Sequence, residues 1–195
     1  MKFLEKVRRY IKISGVAPIS RRYFIMNAFD GATTILGIVI GAHVAGITNQ
    51  FWIICSGLGA TLAMGLSGFA GAYMTEEAER TKKLKRLEKS MLKKLGNSVV
   101  GRASRFAPLW TGIIDGVSPA IAAIACLTPF FLSFLDVFSV DFAFQLSIVT
   151  ALSVMFLLGV FLGKVSGRSM LFHGVKTLLV GLILTLIFLA LKAIT

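Results

Sequence analysis

Five stretches of the chain are apolar over about 20 residues or more, which is the length that a helix needs to cross a bilayer. They lie near residues 28–48, 51–74, 108–135, 142–163 and 171–193. The intervening segments are short, and no Pro/Gly/Ser-rich linker divides the chain. The pattern predicts an all-α, polytopic membrane protein with five transmembrane helices in a single transmembrane domain, residues 1–195.

A sixth helix is predicted within the longest polar segment, residues 75–107. In "TEEAERTKKLKRLEKSMLKKLG" the apolar residues recur at alternating steps of three and four, which makes a narrow seam on one helix face. These residues are Leu84, Leu87, Met91 and Leu95. Gly96 follows them and is a suitable stop for the helix. We therefore expect a short cytosolic helical loop between spans two and three, with a seam that suits a partner helix.

The N-terminal arm, residues 1–26, has an apolar stripe opposite a basic face. The stripe consists of Phe3, Leu4, Val7, Tyr10 and Ile11. This pattern favours a helix that lies on an anionic leaflet, although a solvated basic arm remains the alternative. The arm lacks the apolar core and small-residue cleavage site of a signal peptide.

Composition and charge narrow the class further. The chain has 195 residues, is 56% hydrophobic and only 15% charged, and carries a net charge of +12. Most of its 21 Lys and Arg flank the apolar stretches: seven precede the first span, ten lie between the second and third, and Lys164 and Arg168 precede the fifth. The other two loops have none, so the positive-inside rule predicts a cytosolic N-terminus and an external C-terminus. The same distribution argues against nucleic acid as a partner and for the lipid bilayer.

Two carboxylates fall inside predicted spans, within a weak internal repeat. "FDGATTILGIVIG" at 29–41 resembles "IDGVSPAIAAIAC" at 114–126, and both begin inward-to-outward spans. Ionisable groups in a membrane are expensive and by default mark ion paths or proton relays. Asp30 and Asp115 are therefore candidate metal ligands and proton carriers. The alternative for each is a helix N-terminal cap near the headgroups.

Three further carboxylates, Glu76, Glu77 and Glu79, directly follow the second span. Glu76 and Glu79 share a helix face at i, i+3, a spacing that suits two ligands on one divalent cation. Ordinary i, i+4 ion pairs, Glu76 with Arg80 and Glu79 with Lys83, are the alternative. Cys55 and Cys126 lie within apolar runs without CxxC spacing, so neither a disulfide framework nor a zinc site is expected.

The segments "NAFDGATTILGIVIGA" and "GLGATLAMGLSGFAGAYMTEEAER" resemble the vacuolar iron transporter (VIT) family, relatives of the yeast Ccc-type iron and manganese transporters. The resemblance covers roughly residues 21–80 and would make this chain a divergent short member. It implies five spans, a homodimer, and export of Fe²⁺ or Mn²⁺ from the cytosol in exchange for protons, with the metal as cargo and no permanently bound cofactor. The membrane would be the plasma membrane in a prokaryote, or the vacuole or another endomembrane in a eukaryote.

Residue by residue, the resemblance gives Asp30 the role of the first-span aspartate, a metal ligand. Glu76, Glu77 and Glu79 take the place where the metal-capturing carboxylates begin. Two departures stand out: the family glutamate is Ala72, and the methionine expected one turn earlier is Gly68. Met64, one further turn back, is a candidate thioether ligand. Asp115 is a candidate replacement for the missing glutamate.

Carboxylates with at most one thioether suit Mn²⁺ or Fe²⁺ better than Cu⁺ or Zn²⁺. No enzyme activity is expected, because the Asp-Gly of the first span lacks the Arg and the two further Asp of the CDP-alcohol phosphotransferases. A non-transporting membrane scaffold or lipid-interacting protein stays open as the alternative. The loss of the family glutamate supports it, and small-residue faces such as Gly57, Gly65, Gly68 and Gly71 favour close helix packing regardless of function.

Overall fold

The computed structural model describes residues 2–194, apart from the side chains of residues 2, 3, 189 and 191–194. Over those residues the chain is helical and contains no strand. The helices are α1 (Lys2–Ser14), α2 (Ala17–Val44), α3 (Gln50–Met91), α4 (Val99–Phe134), α5 (Val140–Ser166) and α6 (Met170–Ile194). Helices α2 to α6 are each long and apolar enough to span a membrane, which confirms the predicted all-α fold with five spans.

The helix ends differ from the predicted ones where a helix continues beyond its apolar stretch. Helix α2 begins at Ala17, before the apolar stretch, because Pro18 is well suited to a first helical turn. The predicted helix in the polar loop is the continuation of α3. That helix ends at Met91 rather than at Gly96. Leu92 adopts a left-handed conformation with φ 48°, and Lys93 N–H bonds the Glu88 carbonyl at 3.2 Å.

The chain forms two compact units, and several helices contribute to both. The first comprises Met1–Phe24 and Gly65–Val117, and the second comprises Ile25–Met64 and Ser118–Thr195. In the first unit the aromatic rings of Tyr10 and Phe106 lie 5.7 Å apart. The half-buried face of α1 therefore contacts α4, whereas Leu4 is exposed. The side chain of Phe3, part of the predicted stripe, lies outside the described residues.

The second unit is organised around a buried face of α2. Ala28, Ala32, Ile35 and Val39 are spaced by three or four residues and are almost fully buried. They belong to one apolar cluster with residues of α3, α4 and α5, among them Ile53, Leu127, Phe130 and Met155. Because lipid tails are as apolar as these side chains, close packing rather than water exclusion holds such helices together.

Glycines allow the closest approaches in this unit. A Cβ at Gly31 would lie 2.6 Å from the carbonyl oxygen of Pro119, so only glycine fits between α2 and α4 at this point. Helices α5 and α6 are similarly close, since a Cβ at Gly159 would lie 2.6 Å from the carbonyl oxygen of His173. The Thr177 hydroxyl of α6 also donates a hydrogen bond to the Met155 carbonyl of α5 at 3.0 Å.

Candidate metal-binding carboxylates

In the first unit, α3 and α4 cross at backbone contact. A Cβ at Gly116 would lie 2.8 Å from the carbonyl oxygen of Gly65, and a Cβ at Gly65 would lie 2.9 Å from the carbonyl oxygen of Gly116. One turn along α4, a Cβ at Gly112 would lie 3.0 Å from the Phe69 carbonyl. Small residues on both helices therefore allow the approach, as in small-xxx-small packing of membrane helices.

This crossing positions Asp115. The residue is 4% exposed, and its Oδ2 lies 3.1 Å from where a Cβ of Gly68 would stand. Its carbonyl oxygen faces the same position at 3.5 Å. Gly68 therefore provides the space in which the carboxylate of Asp115 lies. The neighbouring departure from the family pattern, Ala72, is buried at 3% exposure.

Asp30 lies in the second unit, in different surroundings. Its side chain is exposed and borders an apolar pocket of about 260 Å³ between α2, α5 and α6. The other lining residues are Ile25, Met26, Phe29, Leu158, Leu162 and Thr177. Asp30 lies well inside α2, 13 residues beyond the first residue of that helix, so it is not an N-terminal cap. Among the described residues it has no ion-pair or hydrogen-bond partner.

Met64 packs beside the same helix. The Thr34 hydroxyl donates a hydrogen bond to the Met64 thioether at 3.4 Å. Thr34 follows Asp30 by one helical turn, about 6 Å along the axis at a rise of about 1.5 Å per residue. The contact keeps the sulfur of Met64 on the part of α2 that carries Asp30.

Glu76 is buried and ion-paired. Its carboxylate accepts a 2.8 Å hydrogen bond from Nε of Arg80, and the two side chains are 5% and 12% exposed. Arg80 also donates to the carbonyl of Ser14, the last residue of α1. The guanidinium therefore links the end of α1 to α3. The sequence indicates the i, i+4 pair but gives no sign of the contact with Ser14, which depends on how α1 folds back.

Glu77 and Glu79 are exposed, unlike Glu76. Glu79 pairs with Lys83 at 3.3 Å, with both side chains more than half exposed, whereas Glu77 borders a pocket on the α4 side. Both i, i+4 ion pairs considered from the sequence are thus present. Within the described part of the chain, no three His, Cys, Asp or Glu side chains are grouped so that they could hold one metal ion.

Comparison with known proteins gives the family. The model of the VIT family matches residues 21–98, which include Asp30, Met64 and the three glutamates. The chain is also 35% identical over 158 residues to "Uncharacterized protein MJ0645" of Methanocaldococcus jannaschii, an alignment that covers 80% of this chain and 79% of the relative. No solved structure matches the chain significantly. With its five spans and the motifs of its first two spans, the chain belongs to the VIT family, a family of metal ion transporters.

Proposed function

We propose that the chain exports Fe²⁺ or Mn²⁺ from the cytosol in exchange for protons, and that it works as a homodimer. The observation that carries the proposal is the carboxylate of Asp30, which lies within a span and has no partner among the described residues. A charged side chain at the centre of a membrane helix costs about 2.5–3.5 kcal/mol on insertion scales. A cation that neutralises the carboxylate, either a proton or a metal ion, removes most of that cost. Competition between the two cations for one carboxylate is the simplest basis for exchange.

The proposed ligand set combines carboxylate oxygens with a thioether. Asp30 is the first ligand. Met64 contributes its thioether sulfur, which accepts a hydrogen bond from Thr34, one helical turn after Asp30. Asp115, in the first unit, is proposed separately as a metal ligand and proton carrier, in place of the glutamate that the family pattern would have at Ala72. Oxygen ligands with one soft sulfur suit Fe²⁺ and Mn²⁺ better than Cu⁺, for which thiolates and thioethers dominate.

The glutamates after the second span have a lesser role in this proposal. Glu77 and Glu79 are exposed and would attract cations towards the cytosolic end of α3. Glu76 is paired with Arg80, so a metal ion would have to displace the guanidinium to reach it. The basic residues that surround these carboxylates argue for brief capture rather than storage of metal.

A homodimer would complete the site that one copy leaves sparse. Asp30 is exposed on the surface of its unit, and a two-fold axis beside α2 would bring a second Asp30 to the same ion. The orientation follows from the charge distribution: the loops that carry the cations face the cytosol, so the N-terminus is cytosolic and the C-terminus is external.

The test is metal uptake into proteoliposomes with Fe²⁺, Mn²⁺, Co²⁺ and Zn²⁺ under an imposed pH gradient. We expect flux of Fe²⁺ or Mn²⁺ that depends on the gradient, and at least tenfold less flux in Asp30→Asn, because the amide cannot neutralise a cation. Asp136→Asn is the matched control, since Asp136 lies in the loop after α4, where its left-handed φ of 57° also suits asparagine.

Equal flux in the parent and in Asp30→Asn would refute the role of Asp30. The absence of flux for all four metals, in protein that is correctly folded and inserted, would favour the alternative of a non-transporting scaffold. Asp115→Asn tests the carboxylate of the first unit on its own. If it leaves metal flux and its pH dependence unchanged, Asp115 is neither a metal ligand nor a proton carrier.

A further inference from the structure

A pocket of about 220 Å³ lies between α3 and α4 in the first unit, and neither Asp30 nor Asp115 lines it. The polar residues that line it are Tyr73, Glu77, Arg80, Thr81, Ser104 and Arg105. The volume is below the roughly 300 Å³ at which pockets for drug-sized ligands begin. A small, strongly polar ligand fits this description better than an apolar one.

The pocket contains both signs of charge, and they are not paired with each other. Glu77 has no ion-pair or hydrogen-bond partner among the described residues, although two arginines line the same pocket. Arg80 is engaged by Glu76 and the Ser14 carbonyl. Arg105 donates to the Gly96 carbonyl through one nitrogen, which leaves its other N–H groups available. A ligand that carries a positive and a negative group would satisfy both sides at once.

The position of the pocket in the chain points to the source of such a ligand. On α3, the pocket begins at Tyr73, where the apolar span ends, and continues through the charged residues to Thr81. On α4, Ser104 and Arg105 precede the apolar run that starts at Pro108. Both helices therefore pass here from charged to apolar sequence, the level at which phospholipid headgroups and interfacial aromatic residues lie.

We propose that this pocket binds a phosphate ester that also carries a primary ammonium group, the chemistry of a phosphoethanolamine headgroup. The phosphate accepts hydrogen bonds from N–H groups of Arg105 and from the hydroxyls of Ser104 and Thr81. The ammonium group donates hydrogen bonds to the carboxylate of Glu77 and to the hydroxyl oxygen of Tyr73. A metal ion would face two guanidinium groups, and a purely anionic headgroup would face the carboxylate of Glu77. A phosphocholine headgroup carries no N–H to donate to that carboxylate.

The test is lipid binding to the full chain in detergent, measured by native mass spectrometry with a chelator present to keep metal ions off Glu77. Phosphatidylethanolamine, phosphatidylcholine and phosphatidylglycerol of matched acyl chains are titrated separately. We expect phosphatidylethanolamine to bind about tenfold more tightly than the other two, as a charged hydrogen bond is worth at least one factor of ten. Soluble phosphoethanolamine is then added as a competitor: displacement identifies the free ester as sufficient, and no displacement identifies the lipid as the ligand.

Matched variants locate the preference. Glu77→Gln should lose the preference for phosphatidylethanolamine, whereas Glu79→Gln, on the same helix but outside the pocket, should keep it. Arg105→Gln should weaken the binding of all three lipids, whereas Arg102→Gln should leave it unchanged. Tighter binding of phosphatidylglycerol by the parent, or an unchanged preference in Glu77→Gln, overturns the proposal. Neither result bears on transport, because the assay contains no metal and Asp30 is intact.

Discussion

The crossing of α3 and α4 makes Gly116→Ala the most informative change for stability. The new Cβ would lie 2.8 Å from the carbonyl oxygen of Gly65 and 3.1 Å from the Cβ of Phe69. Carbon and carbonyl oxygen approach to about 3.3–3.6 Å in favourable contacts between helices. The shortfall is therefore about half an ångström or more. Because the obstructing oxygen belongs to the α3 backbone, no side-chain rotation can relieve it.

The two helices must separate, and the cost follows from the packing they lose. Overpacking of this kind lowers the free energy of unfolding by about 1–3 kcal/mol. The higher helix propensity of alanine offsets up to about 1 kcal/mol of that loss. We expect a net loss of about 1–2 kcal/mol. For a chain of this length that lowers the melting temperature by roughly 2–8 °C.

The assay is thermal unfolding in mild detergent, followed by the loss of helical circular dichroism. Gly71→Ala is the control, because it lies on α3 and a Cβ there meets no atom within 4 Å. Gly71→Ala should melt at the parent temperature or slightly above it. If Gly116→Ala has the same melting temperature as Gly71→Ala, α3 and α4 do not approach each other this closely.

Two other changes test local interactions by the same measurement. Arg80→Gln removes a nearly buried ion pair and the contact with α1, and should destabilise the chain by about 3–5 kcal/mol, the usual cost of breaking a buried pair. Lys83→Gln removes a pair that is more than half exposed and should change stability by less than about 1 kcal/mol. Equal losses of stability in the two variants would argue against a buried ion pair between Arg80 and Glu76. Leu92→Gly should raise stability by about 1 kcal/mol, since Leu92 is 93% exposed and pays for a left-handed φ of 48°. A lower melting temperature would show that its side chain has a contact to lose.

Much of the fold could be predicted because it is a local property of the chain. Each span is a continuous apolar run, and each cationic loop is a cluster of neighbouring residues, so hydropathy and charge reveal them directly. The helix ends were predicted less well. Hydropathy marks the apolar part of a helix, whereas α2 and α3 continue into charged sequence at Ala17 and Met91. The end at Leu92 could not be predicted from its type, because leucine rarely adopts a left-handed conformation.

The sequence predicts candidate site residues but not how they are arranged. The sequence identifies Asp30 as a carboxylate within a span, yet whether it is paired, buried or exposed depends on helices distant in the sequence. The same applies to Asp115, which lies against Gly68 only because glycines at 65, 112 and 116 let α3 and α4 approach. Glycine is common in membrane helices for several reasons, so its spacing does not reveal which helix it faces.

Gly68 and the carboxylate of Asp115 are steric counterparts. Oδ2 of Asp115 lies 3.1 Å from the position of a Cβ at Gly68, so a methionine side chain there would extend through the space that the carboxylate occupies. A methionine at position 68 would therefore require the carboxylate of Asp115 to move. A carboxylate on α4 requires a small residue on α3, and this chain has glycine there. Because Gly68 and Asp115 share this space, Asp115→Asn must be compared with Asp30→Asn before transport is judged by the residue at position 72 alone.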